Sequence, residues 1–305
     1  MRVALAGDTM LGRGVAEELR RRPPQSLVEA ELVELTRTAD LFVLNLECCI
    51  SERGMPAAKT FTFRAPPAAL ELLLHLGVDC VTLANNHALD YGTEALLDTF
   101  HHLRAAGMAW AGAGENAEEA HTPIVIQGLP ILAFADHEPG FAAGPARAGI
   151  AYADLRQGVP DWLGGRAHGA LVCPHWGPNM TPSPLPYVRA AAQALREGGA
   201  ALVAGTSAHV FQGVEGNVLY DLGDFLDDYA VDPRLRNDHG LFFLVDLEPD
   251  GLRRIEAVPL QLEYAYTRIA HGDEAVQIQG RFREACSAFG TEMLEEDGRL
   301  VIEPR

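Results

Sequence analysis

Asp8, Glu47, Asn86, His87, His175 and His209 are the residues of this chain with the atoms and the placement for chemistry. They fall in short polar clusters, each closing an apolar run: Gly7-Asp8, Asn45-Leu46-Glu47, Asn85-Asn86-His87, His175-Trp176-Gly177 and Gly205-Thr206-Ser207-Ala208-His209. Carboxylate, carboxamide and imidazole together suit a borderline divalent ion, Mn²⁺ or Zn²⁺, better than they suit thiolate chemistry. Such an ion would make hydroxide available near neutral pH and neutralise an anionic group. Taken singly, these residues have plain structural explanations. Asp8 could cap a helix, Asn85-Asn86 could form a turn, and a lone histidine is usually a surface or core residue. His75, His101, His102, His121 and His168 read that way. Recurrence at strand ends is what favours one shared site.

Apolar runs that end in these clusters must be strands to bring the clusters together. The sequence predicts strands at 2–6, at 41–46, over VDCVTLA before Asn85, at GALVCPHWG and at AALVAG. Between them it predicts helices to about Arg22, stopped by Pro23-Pro24, and over 68–76, 93–106 and 186–197. Short strands are expected near 109–111, 124–127 and 130–135. NVLYDLGDF and GLFFLVDLE look like a strand pair, RRIEAVPLQLEY extends the β-rich part, and 273–289 is helical, with a short tail after it. The order βαβαβα followed by further strands indicates a layered α/β fold with two sheets packed face to face. In such sheets the carboxyl ends of parallel strands share one edge, where ligands bind. No repeat or linker divides the chain, so 1–305 reads as a single domain with a C-terminal helix and short tail at about 270–305.

Bulk properties narrow the partners. The 24 basic residues against 42 acidic ones give a formal net charge of −18, which argues against nucleic acid or an anionic membrane surface. An anionic substrate would then need a local cation, a metal ion or an arginine. Arg64 in FTFRAPP is the foremost candidate for clamping a phosphate or carboxylate bidentately, with a structural ion pair the equal alternative. Arg13 could do the same. Asp221, Asp224, Asp227 and Asp228 crowd one segment and read as a solvated loop or helix cap. Asp136-His137 also follows an apolar strand, and Trp176 either stacks on substrate or packs beneath the site. No long apolar span and no secretory signal is visible, and the five cysteines (48, 49, 80, 173 and 286) read as buried free thiols. The expected location is the cytoplasm. There is no GxSxG and no GK[ST], so neither a serine nucleophile nor a P-loop is expected.

The series GDTMLGRGV, NLECCIS, FTFRAPP, ANNHALDYG, PHWG, SAHVFQGVE and YDLGDFL, in this order over roughly residues 1–245, resembles the CapA family of capsule and poly-γ-glutamate synthesis proteins, a branch of the calcineurin-like metallophosphoesterase superfamily. The resemblance implies a four-layer α-β-β-α sandwich with one or two divalent ions at the strand ends. It implies Asp8, Glu47, Asn86, His175 and His209 as metal ligands, with Glu47 at the bridging position. It implies His87 as the proton donor to a leaving group; Arg64, read from its residue type rather than from the resemblance, is a further catalytic candidate. One departure stands out: the last motif reads GTSAH, with Thr206 where the family has a histidine. A hydroxyl is a poor ligand beside imidazole, so either the second metal position is lost or weakened, or the site has another task. The implied activity is phosphoester hydrolysis through metal-activated hydroxide. The alternatives are metal-assisted acid/base chemistry on a peptide or amide, epimerase-like, and an accessory role in polymer or capsule assembly. The substrate would be a small molecule or a peptide or polymer, anionic in each case.

Overall fold

Hydrophobic alternation decides which faces meet in this computed structural model, which describes residues 1–248 and 251–303. The strands that matter for the site are β1 (Arg2–Thr9), β2 (Leu41–Leu46), β3 (Cys80–Thr82), β4 (Ala109–Ala111), β5 (Ile124–Ile126), β6 (Leu129–Ala135), β7 (Leu171–His175), β8 (Leu202–Ala204), β9 (Val214–Glu215), β10 (Val218–Leu219), β11 (Asp224–Leu226), β12 (His239–Glu248), β13 (Gly251–Glu263), β14 (Tyr266–Ile269), β15 (Leu294–Glu296) and β16 (Arg299–Ile302). One sheet has ten strands, in the order β15-β16-β13-β12-β1-β2-β3-β4, with β11 beside β1 and β14 beside β13. The other has six, in the order β9-β10-β8-β7-β6-β5. β1, β2, β3 and β4 run parallel, as do β6, β7, β8 and β10.

Along the smaller sheet, Ile131, Ala133, Ala135, Leu171, Cys173, Leu202 and Ala204 join the main core with the larger sheet. Their alternates, Leu132, Phe134, Val172 and Val203, form a second core with Val188, Ala191, Ala192 and Leu195 of the helix Pro186–Glu197. Both faces of these parallel strands are therefore covered, which explains their unbroken apolar runs. The helix Ala69–Leu76 buries Ala69, Leu72, Leu73 and Leu76, one face at helical spacing, and stops at Gly77 in the left-handed conformation. All five cysteines are buried and free. No helix among the described residues is long and apolar enough to cross a membrane.

The mixed α/β class expected from the sequence is what the chain adopts. One local expectation is corrected, and two elements are added. NVLYDLGDF and GLFFLVDLE are not a strand pair: Val218–Leu219 belongs to the smaller sheet, while Asp224–Leu226 joins β1 and His239–Glu248 pairs with β1 and β13. A helix at Ala30–Thr36 lies in a stretch for which no element was expected. The short tail after the last helix carries strands, because β15 and β16 form a hairpin that extends the larger sheet from β13.

Candidate metal centre

β1 carries Asp8 to the centre, and its neighbours are held by backbone register. The β1–β2 pairing shifts between Ala6 and Asp8, and Glu47 continues beyond β2 by donating its N–H to Thr9 O. On the other edge of β1, Asp8 stands opposite Asp224 of β11 and donates its N–H to Gly223 O at 2.9 Å. Gly7 makes that crossing possible, since a Cβ there would lie 1.8 Å from Gly223 O. Asn45 ties the cluster together. It donates to Asp8 Oδ1 at 2.7 Å and accepts from Thr82 Oγ1 and Asn85 Nδ2. Asn85 in turn donates to Leu46 O and accepts the His87 N–H, which fixes the loop carrying Asn86 and His87.

Asp8, Glu47 and His209 place one ligand atom each within 4.8 Å of one another, all buried. His209 Nδ1 lies 3.3 Å from Asp8 Oδ2 and 2.8 Å from Asp224 Oδ1. On the far side of Glu47, His175 Nε2 is 3.6 Å from Glu47 Oε1 and 2.9 Å from Asn86 Oδ1. The opposite nitrogen of His175 meets the Thr206 hydroxyl at 3.0 Å, through a parallel bridge between these two residues. His87 completes the set, its Nε2 3.9 Å from Glu47 Oε1 and its Nδ1 2.5 Å from Asp90 Oδ2. Ser207 and His209 both have positive φ, at 111° and 58°. Such conformations are disfavoured for these residues and tend to gather at functional sites. Ser207 uses that turn to donate its N–H to Asp8 Oδ2.

The charges do not balance within the protein. Burial, reinforced by Asp8, pushes the Glu47 carboxyl well above its ordinary range. Burial does the same to Asp224 against the pull of His209, and pushes Asp227 up to about 6. Asp8 is held below the usual carboxylate range, because His209, His175 and Asn45 outweigh its burial. His209 is raised despite burial by Asp224, Glu47 and Asp8, whereas burial drives His175 well down and lowers His87. Neither Glu47 oxygen has a hydrogen-bond partner, and Asp224 Oδ2 and Asp227 Oδ2 lack one too. Buried polar atoms are normally satisfied, so an orphaned carboxylate between imidazoles fits a cation. Asp8, Glu47 and His209 could hold one ion, and Glu47, Asn86 and His175 offer donors beside it.

The sequence-derived residues meet here with one exception. The Arg64 guanidinium lies over the Tyr91 ring at 4.1 Å and donates to Arg53 O, and none of its interactions reaches the cluster. The acidic segment is a correction: Asp221, Asp224 and Asp227 are buried, not solvated. Asp221 accepts the N–H groups of Ala208 and Gly223, shaping the loop that holds His209. Asp90 and Lys59 were not singled out from the sequence, and Asn45 stood there only as the start of a polar cluster. Asp90 lies three residues after His87, the one sequence signal that would have found it. Lys59 bonds Asn86 O and sits 3.1 Å from Asp90 Oδ1. His137 Nε2 contacts Ser207 Oγ and Asp136 Oδ1 at the cleft wall. Trp176 is buried and donates to Tyr220 O, so it packs beneath the site.

The fold and the site define an α/β protein with a buried cluster of metal-ligating residue types at the ends of its parallel strands. The chain belongs to the family described as bacterial capsule synthesis protein PGA_cap, whose profile matches residues 2–229. It is similar to the PGA biosynthesis protein CapA of Bacillus subtilis (strain 168), with 26% identity over 98% of this chain and 81% of that protein. It is equally similar, at 26% identity over 98% of this chain and 94% of the relative, to a probable polyglutamine synthesis accessory protein of Mycobacterium tuberculosis. The crystal structure of TT1561 of Thermus thermophilus aligns at a TM-score of 0.38 and 13% identity, covering 79% of this chain and 92% of that one, too distant a likeness to argue from.

Proposed function

We propose that this chain serves the synthesis of a poly-γ-glutamate-type capsule polymer through a divalent-metal centre at Asp8, Glu47, Asn86, His175 and His209, and that its chemistry there is hydrolytic. The observation that carries this is Glu47: fully buried, with both oxygens unpartnered, between the Asp8–His209 pair and the Asn86–His175 pair. The capsule assignment is supported by the family and by the names of the relatives.

A divalent ion held by Asp8, Glu47, Asn86, His175 and His209 would activate water near neutral pH and neutralise an anionic group. The protein supplies the rest. Asp90 accepts from His87 Nδ1–H, so Nε2 is the nitrogen that faces the centre and can carry a proton to a leaving oxygen or nitrogen. Asp90 is itself fixed by the Phe63 N–H and by Lys59, which hold the dyad in one orientation. Phe63 covers the imidazole edge-on at 4.5 Å, which limits water around it. Thr206 Oγ1 lies 3.0 Å from His175 Nδ1, on the side of the ring opposite the nitrogen that faces Glu47 and Asn86, so the residue in the place of a ligand histidine is set to orient another.

The experiment has two arms. Purified protein is assayed for bound Mn²⁺ or Zn²⁺ by elemental analysis, and a chromosomal Asp8→Asn or His87→Asn allele is scored for cell-associated γ-glutamyl polymer. Bound metal together with lost or altered polymer is the expected result. Unchanged polymer in both alleles refutes the role, and a parent protein that takes up no divalent ion refutes the centre.

A further inference from the structure

We propose that Arg13 is the residue that captures the oxyanion of the substrate, a carboxylate or phosphate, at the mouth of this centre. The inference rests on the reading of the Asp8–Glu47–His209 cluster as the reacting centre and adds the substrate's handle. An anionic substrate approaches a wall of carboxylates, Asp8, Glu47, Asp90, Asp224 and Asp227, all buried. Three cations stand near the rim, and two are already engaged. Lys59 is bonded to Asn86 O and paired with Asp90 at 3.1 Å and Glu138 at 3.3 Å. Arg64 is turned onto Tyr91 and the Arg53 carbonyl.

Arg13 differs. Among the described residues its only carboxylate contact is through Nε, 3.4 Å from Asp228 Oδ2, an oxygen that also accepts the Gly14 N–H. Neither terminal nitrogen of its guanidinium has a hydrogen-bond partner among the described residues. Asp228 therefore tethers the group by its stem side and leaves the two-pronged end open, the geometry that binds a carboxylate or phosphate bidentately. The guanidinium is also held over three aromatic rings, Phe61 at 5.2 Å, Phe63 at 5.6 Å and Tyr229 at 5.9 Å. Two of these rings lead directly to the centre: Phe63 packs edge-on against His87, and Tyr229 packs edge-on against His209 at 5.3 Å. A guanidinium one ring removed from both the proton-transfer histidine and a ligand histidine can hold one anionic group while its neighbour on the substrate reaches Glu47. The backbone is committed to this placement as well, with Arg13 at φ 49°. Gly12 lets the chain at Phe63–Arg64 cross close beneath, where a Cβ would lie 2.8 Å from Arg64 N. An arginine seldom adopts positive φ, and no side-chain cap or ladder bond at Arg13 requires it.

The test uses the full chain loaded with Mn²⁺, with Arg13→Ala and Arg13→Lys, titrated calorimetrically with a short γ-linked glutamate oligomer and with phenyl phosphate. Metal content is measured on the same samples. Arg13→Ala is expected to weaken at least one probe by about tenfold to a hundredfold, the range for losing a charge-assisted hydrogen-bond pair, with metal content unchanged. Arg13→Lys, which keeps the charge and secures the fold but lacks the fork, recovers part of that loss. The probe that responds tells carboxylate from phosphate capture. Binding of both probes by Arg13→Ala as tight as the parent's overturns the proposal, and so does a metal-loaded parent that binds neither. Failure of the underlying centre shows separately, as a parent that retains no Mn²⁺.

Discussion

Replacing Glu47 with Gln should make the metal-free protein more stable while destroying its response to metal. The carboxylate is fully buried, both oxygens lack partners, and Asp8, Asp224 and Asp90 all raise its proton affinity. A buried polar group left unsatisfied costs about 1–3 kcal/mol, more when charged. The amide of Gln has the same shape, carries no charge and can donate toward Asp8. In a chain of this size about 1 kcal/mol moves Tm by about 2 °C, so the metal-free variant should melt about 2–6 °C above the parent. The parent in turn should gain about 2.7 kcal/mol, near 5 °C, from an ion present at about a hundred times its Kd, and the variant should gain nothing. Differential scanning calorimetry with chelator and then with excess Mn²⁺ gives both numbers. A Glu47→Gln protein that melts below the parent without metal would show that the carboxylate is satisfied. A preserved metal-induced shift would show that it is not a ligand. Either result refutes the reasoning.

Other perturbations separate the roles of neighbouring groups. His87→Ala should lower kcat about a hundredfold to ten-thousandfold with metal content unchanged, and Asp90→Asn should do the same to a smaller degree, measured by turnover alongside elemental analysis. Thr206→Val, which removes the hydroxyl 3.0 Å from His175 Nδ1, should weaken Mn²⁺ binding about tenfold to a hundredfold by calorimetry, and Thr206→Ser should restore it. In the larger sheet, burial and then Arg236 push His239 from 6.5 down to about 4, and Arg281 donates to its Nδ1. The unfolded chain binds that proton first as pH falls, so this contribution is complete above about pH 6.5 and is lost progressively toward about pH 4. Tm measured across that window should decline, and His239→Gln should flatten the decline.

How much of this was legible in the sequence depended on whether the signal was local. Asp8, Glu47 and His175 sit at or just past strands whose apolar runs are complete in themselves, so position and chemistry could be read together. Helices such as Ala69–Leu76, with its apolar face and terminal Gly77, were equally local. Long-range pairing was not legible. Asp224 looked like part of a solvated acidic run, and only the register of β11 against β1 places it beside Asp8. The Arg64 side chain was read from its residue type, but its direction is decided by Tyr91, distant in sequence and against it in space. Thr206 was seen as a missing ligand. Its bond to His175 depends on a bridge between two segments of the smaller sheet, which no single-segment pattern can show.

One edge of β1 is divided between two partners: residues 2–5 pair with β12, while Asp8 and Thr9 pair with β11. This gives the site a timetable. As the chain emerges from the ribosome, Asp8 and Glu47 come early, but Asp8 meets its register partner only when residues near 224 have been made, and the Ser207 N–H that steadies it lies 199 positions downstream. Contacts of such sequence separation form late and slowly. A nascent chain stopped before that point could display every early motif and still lack the assembled cluster, so on the proposed reading metal uptake would report that β1 and its distant partner have closed on each other.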